Sequence, residues 1–141
     1  MRPFVLDNSV AMRWLLESNK SIDQKYADAV LRSFVEAAAV VPSLWHLEAS
    51  NVLLSAERRG EITLAEIERF ASQLEDLPVQ VDSRTQSRAL THVLVLAREY
   101  KLSSYDAAYL ELAVREGLSL ATLDTDLIKA AKRAGVPIYL R

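Results

Sequence analysis

Short apolar runs rich in Val, Ile and Leu alternate along this chain with longer segments whose apolar positions recur every three or four residues. Runs that short fit buried strands, and the longer period fits helices with one face on a core. The pattern therefore predicts repeated β-α units, an α/β fold with a mostly parallel sheet. Five strands are expected, near Pro3 to Leu6, Ala39 to Val41, Val79 to Val81, Ser119 to Leu123 and Pro137 to Leu140, the last at the sheet edge, with helices between them. Local signals agree with that division. Thr63 with Glu66 and Ser103 with Asp106 have capping-box spacing, Asp82-Ser83 precedes another helix, and Gly60, Gly117 and Gly135 each follow a helical run. No repeat, low-complexity tract or linker interrupts the pattern, so residues 1–141 read as a single domain.

Composition narrows the chemistry. With 141 residues, 50% hydrophobic and 26% charged, the chain suits a globular domain with a sizeable core. The apolar start is cut short by Asp7 and Asn8, and no later apolar run approaches the roughly 18 residues of a membrane span, so a cytoplasmic protein without a membrane partner is expected. The absence of cysteine removes disulfides, thiolate chemistry and cysteine zinc sites, and the two histidines cannot form a His-rich site. Any metal must use oxygen ligands. A net charge of −2 argues against a broadly basic surface, although Arg58 and Arg59 are a local pair able to meet phosphate.

Four acidic residues stand in otherwise apolar surroundings: Asp7 in FVLDNSV, Glu48 in PSLWHLEASNVL, Asp106 in LSSYDAAYLELA and Asp124 in LATLDTDL. Ligands of open parallel sheets bind beyond the carboxyl ends of the strands, where Asp7 and Asp124 are both expected. At about 100° per residue, Tyr109, Leu110, Ala113 and Val114 fall on the side of Asp106, with Glu111 and Arg115 opposite. Glu48 lies between Leu44 and Val52 on a helix and is expected to face inward. Two carboxylates about 5 Å apart repel by about 3 kcal/mol at an effective dielectric of about 20, so a cluster of four needs protons or cations. Hard ions held by carboxylates, waters and substrate phosphate, Mg²⁺ or Mn²⁺, suit such a set and point to phosphodiester chemistry.

Each residue has a plainer reading. Asp7, followed by Asn8 and Ser9, is placed to cap a helix, Asp106 to complete the box with Ser103, and Asp124 or Asp126 to cap the last long helix. Glu48 has only the option of snorkelling from a helix interior. Four independent caps have no reason to converge on one edge. Trp14, Trp45, Tyr105 and Tyr109 are assigned to packing, His46 to a solvent-facing position, and Arg58 and Arg59 to the dipole of a helix end. Ser9 suits either a cap or a site water.

The ordered motifs resemble the PIN-domain family, and within it the VapC-type toxins of toxin-antitoxin pairs. The resemblance spans the chain: a strand ending in Leu6-Asp7-Asn8-Ser9-Val10, then Trp14-Leu15-Leu16, a P-x-L-x-x-x-E stretch from Pro42 to Glu48, an S/T-x-Y-D-A-x-Y-L-x-L-A stretch from Ser103 to Ala113, and L-x-T-x-D-x-x-L from Leu120 to Leu127. It implies a Rossmann-like PIN domain, a central five-stranded sheet flanked by helices, with an acidic pocket at its carboxyl edge. Asp7, Glu48, Asp106 and Asp124 match the four metal-gathering positions, with Asp126 and Ser9 as secondary candidates. Asn8 lies where the family varies.

The same resemblance implies a Mg²⁺- or Mn²⁺-dependent ribonuclease with an RNA substrate, a homodimer, and neutralisation by a small antitoxin whose tail enters the acidic groove. Asp7 and Asp106 are the expected direct ligands, with Glu48 and Asp124 serving a second ion or orienting water. Two rivals share the fold: a stand-alone PIN nuclease of RNA processing, and a non-catalytic module whose pocket holds a basic peptide. A signalling receiver domain is rejected. Asp82 stands where the phospho-accepting residue would be, but Val136 to Leu140 contains no Lys.

Overall fold

In the computed structural model, which describes residues 3–141, four short strands form one parallel sheet: β1 (Phe4–Leu6), β2 (Ala39–Val41), β3 (Val79–Val81) and β4 (Leu120–Ala121), in the order β3-β2-β1-β4. Chain order runs one way from β1 through β2 to β3 and then jumps back to place β4 on the other side of β1. A crevice at the carboxyl ends of β1 and β4 is the geometric consequence.

The expected fifth strand is reduced to a single parallel bridge, Leu120 to Ile138. Leu120 N–H donates to the Pro137 carbonyl and Tyr139 N–H to the Leu120 carbonyl. Extension stops there because Pro137 has no N–H to offer and Leu140 turns the chain with φ +60°. The segment stays on the edge beside β4, held by side chains: Tyr139 stacks on Phe4 with centroids 3.9 Å apart, and the Tyr26 hydroxyl donates to the Tyr139 carbonyl.

β4 is also shorter than Ser119 to Leu123. Beyond Ala121 the backbone donors leave the ladder: Leu123 N–H goes to Ser9 Oγ and Asp124 N–H to Thr122 Oγ1.

Eight α-helices are described: α1 (Asn8–Ala11), α2 (Ser21–Ser33), α3 (Trp45–Arg58), α4 (Leu64–Glu75), α5 (Thr85–Arg88), α6 (Leu94–Tyr100), α7 (Ser104–Glu116) and α8 (Thr125–Arg133). A π-helical turn, Ala89–Val93, joins α5 to α6. Thr63 and Glu66 form the full reciprocal capping box at the start of α4. Gly117 ends α7 in the left-handed region, where a side chain would be strained. The core gathers Phe4, Val5, Leu6, Leu110, Leu112, Leu120 and Leu127 between the sheet and its helices. No helix among the described residues is long and apolar enough to cross a membrane.

Helix α7 departs from the amphipathic expectation. It packs on β1, α6, α8 and the π turn, and every residue from Ala107 to Ala113 is buried. Glu111 and Arg115, expected on an outward face, therefore lie inside, and Val114, expected inward, is exposed. Arg88 Nε donates to Glu111 Oε2 at 2.6 Å, while Arg115 donates to Glu111 Oε1 at 3.1 Å and to both oxygens of Asp82 at 2.7 and 3.2 Å. Burial opposes ionisation of Asp82, but the Arg115 bonds and charge outweigh it and hold its pKa below the usual value. That clasp occupies the carboxylate a receiver domain would phosphorylate.

Candidate active site

Asp7 follows β1, at the N-cap position of α1, and its backbone is extended as a cap requires. Its carboxylate does not cap the helix. Oδ2 instead accepts from the Ser9 hydroxyl at 2.6 Å and the Thr122 hydroxyl at 2.8 Å, tying the end of β1 to the end of β4. Asp7 is 6% exposed, and burial, opposed by those two hydroxyls and reinforced by Glu48 and Asp124, raises its pKa to about 6.

Asp124 caps α8, with Oδ1 accepting from Leu127 N–H at 2.9 Å. The plain reading of this residue is thus correct for one oxygen, and the second accepts no bond among the described residues. Asp126 sits exposed in the first turn of α8 and acts on Asp106 through charge.

Asp106 occupies the first turn of α7, where its N–H donates to the Ser103 hydroxyl at 3.1 Å. Its pKa is raised to about 6 by burial, by Asp124 and by Asp7, against a lowering contribution from Ser103. Glu48 lies in the first turn of α3 and is half-buried. Its Oε1 accepts from the Tyr109 hydroxyl and, at 3.4 Å, from Asn8 Nδ2. Burial raises its pKa, and so does the charge of Asp106, while the Tyr109 and Asn8 bonds oppose the rise.

The structure thus brings all four expected carboxylates into one field, each acting electrostatically on at least one other. None forms an ion pair with a described residue, whereas Asp82 and Glu111 are both met by arginine. Among the described residues no three acidic or histidine side chains come close enough to ligate one ion on their own. The donors available are carboxylate oxygens, a chemistry that suits a hard divalent ion keeping most of its waters and taking one or two carboxylates, and not a closed structural cage.

Sequence reasoning missed three contributors. Asn8 is buried, and its Nδ2 donates to the Trp45 carbonyl at 2.9 Å. Thr122 is fully buried and serves both Asp7 and Asp124 N–H. Tyr109 does pack in the core, as expected, but its hydroxyl also serves Glu48. Each of the three lies inside one of the acidic motifs, within three residues of its aspartate, and that placement was the available signal. Ser9 proves to be a latch between Asp7 and Leu123 N–H. Of the other packing residues, Trp45 is buried and Tyr105 is 66% exposed. His46 is exposed as expected, and Arg59 pairs with Glu61 at the surface. A groove of about 560 Å³ lies between α3 and α4 and is lined by Leu53, Leu64, Ile67 and Leu74, with none of the four carboxylates.

The family model of the PIN domain matches residues 4–133, which include all four carboxylates. The chain belongs to the PIN domain family. PIN domains form a superfamily of metal-dependent nucleases, and membership supports a hydrolase acting on nucleic acid. This PIN domain is similar to the crystal structure of PAE2754 from Pyrobaculum aerophilum, with a TM-score of 0.66 and 25% identity over 92% of this chain and 87% of that one. No match is found among curated proteins.

Proposed function

We propose that this PIN domain is a divalent-metal-dependent endoribonuclease acting as the toxin of a toxin-antitoxin pair, with residues 1–141 as one domain. The observation that carries the nuclease reading is the contrast between its acidic clusters. Asp82 and Glu111 are neutralised by arginine, while Asp7, Glu48, Asp106 and Asp124 gather at the carboxyl edge with no ion pair to any described residue. Clustering carboxylates is unfavourable unless protons or a cation from outside compensate the charge, and a cation is the compensation a nuclease uses. The toxin assignment rests on the resemblance of the ordered motifs to VapC-type toxins, which also supports a homodimer, a small antitoxin partner and a cytoplasmic location.

When bound, Mg²⁺ or Mn²⁺ supplies Lewis acidity that activates water and offsets charge on the phosphodiester. The protein's part is to hold oxygens in place. Asp7, with Oδ2 fixed by Ser9 and Thr122, would offer Oδ1 to the ion, and Asp106 at the start of α7 would be the other direct ligand. Glu48 and Asp124, each with one oxygen committed to a protein donor, would orient water or hold a second ion through the other. Asp126 adds negative charge at the rim.

The deciding experiment is cleavage of total RNA by the purified protein with Mg²⁺, with Mn²⁺ and with EDTA, beside Asp106→Asn. Discrete cleavage that needs metal and Asp106 is expected. A folded, partner-free protein that cleaves nothing would instead identify a binding module. Co-purification of a small protein expressed from the same locus separates the toxin from a stand-alone nuclease.

A further inference from the structure

Glu48, like Asp7, is held by neutral donors, whereas Asp82 and Glu111 are met by arginine. Two neutral donors from separate elements converge on the same oxygen, Oε1: the Tyr109 hydroxyl from α7, and Asn8 Nδ2 from α1 at 3.4 Å. The donors also touch each other, with Asn8 Nδ2 lying 3.4 Å from the Tyr109 hydroxyl oxygen. The carbonyl of Trp45, 2.9 Å from Asn8 Nδ2, sets the amide's orientation, since a flipped amide would oppose two oxygens. Oε2 accepts no bond among the described residues.

This arrangement restrains a long side chain without cancelling its charge. An arginine, such as the one meeting Glu111, would do both. A second observation concerns Asn8 itself. Its Oδ1 is buried with no partner, in a residue only 7% exposed. An unsatisfied buried acceptor is unfavourable, and Asn8 carries that cost while its Nδ2 reaches Glu48.

We propose that Asn8 and Tyr109 are positioning residues that lock Glu48 through Oε1 and present Oε2 to the divalent ion, so that two side chains touching no metal help set the site's metal affinity. The inference rests on the metal-nuclease reading above, and it gives Asn8 and Tyr109 a role beside the four carboxylates.

The test is Mn²⁺ binding by calorimetry to the purified full chain, for wild type, Tyr109→Phe, Asn8→Ala, Glu48→Gln and Tyr109→Phe with Glu48→Gln. Tyr109→Phe keeps the buried ring and removes only the hydroxyl. It is expected to bind Mn²⁺ about 10-fold more weakly, the scale typical of lost outer hydrogen bonds to metal ligands. The Mn²⁺ concentration for half-maximal RNA cleavage is expected to rise by the same factor, and the double variant to bind no worse than Glu48→Gln alone. Where Tyr109→Phe fails to fold, Asn8→Ala carries the comparison. A folded Tyr109→Phe with wild-type Mn²⁺ affinity, or one whose loss is undiminished in the Glu48→Gln background, would overturn the clamp alone. A wild-type protein that binds no Mn²⁺ would overturn the metal reading and the clamp with it.

Discussion

The Thr122 hydroxyl donates to Asp7 Oδ2 across the crevice between β4 and β1, at 2.8 Å. One hydrogen bond thereby joins residues 115 positions apart in sequence and turns an N-cap aspartate away from its helix. Asp7 is consequently buried as an acid that does no capping.

Replacing it with Asn is therefore expected to abolish metal-dependent cleavage while leaving the metal-free protein at least as stable as wild type. An Asn carbonyl can accept from Ser9 and Thr122 in place of Oδ2, and the buried charge disappears. Urea denaturation in EDTA at pH 7.5 checks this. Unfolding of Asp7→Asn would mean that the carboxylate is structural.

The pH dependence has a definite sign. Asp7 takes up its proton near pH 6 in the folded protein, against 3.8 as the ordinary value, so between those limits the native state binds more protons than the unfolded one. Its contribution to stability is greatest below about pH 4 and falls as pH rises to about 6, by about 3 kcal/mol in all, then levels off. Denaturation midpoints in EDTA from pH 4 to pH 7.5 are expected to fall more steeply for wild type than for Asp7→Asn. Equal slopes would show that Asp7 is not the group responsible.

Saturating Mn²⁺ at pH 7.5 is expected to reverse that loss. An ion at about 100 times its dissociation constant adds about 2.7 kcal/mol to folding. Thermal melts with and without Mn²⁺ should show the shift in wild type and a much smaller one in Asp106→Asn.

Asp124 has two jobs that substitution can separate. Asn keeps an oxygen able to accept from Leu127 N–H, whereas Ala removes the cap of α8 and costs about 1 kcal/mol. Both variants are expected to lose cleavage, but only Asp124→Ala should lose stability as well. An active Asp124→Asn would reduce this residue to a cap.

Arg115→Met should be the most destabilising of these substitutions, because it leaves the Asp82 carboxylate without its arginine and Glu111 with Arg88 alone. A loss of about 3 to 5 kcal/mol in urea denaturation is the expected scale for breaking a buried pair. A loss under about 1 kcal/mol would mean that water already reaches those carboxylates.

Fold class, the positions of the first three strands and the four acidic motifs were all legible in local pattern. A strand end followed by Asp, or a Ser three residues before Asp106, is information carried by neighbours in sequence. The fifth strand was misread because Pro137 to Leu140 has a strand's apolar character, while its termination depends on a missing proline donor and a left-handed turn at Leu140. Glu111 and Arg115 were misread for a different reason. Helical periodicity assigns one inward face, and α7 has neighbours on nearly every side.

What the sequence by itself determined was the parallel α/β plan and the identity of the acidic residues, because hydrophobic period and residue type act over a few positions. Only the tertiary structure decided which carboxylates receive arginine and which are left to one another. It also decided which oxygen of two of them is already committed: Asp7 Oδ2 to Ser9 and Thr122, and Glu48 Oε1 to Tyr109 and Asn8. The bonds from Thr122, Tyr109 and Asn8 cross separations of 40 to 115 residues. At such separations periodicity carries no signal, and desolvation and hydrogen-bond geometry in the folded chain set the result.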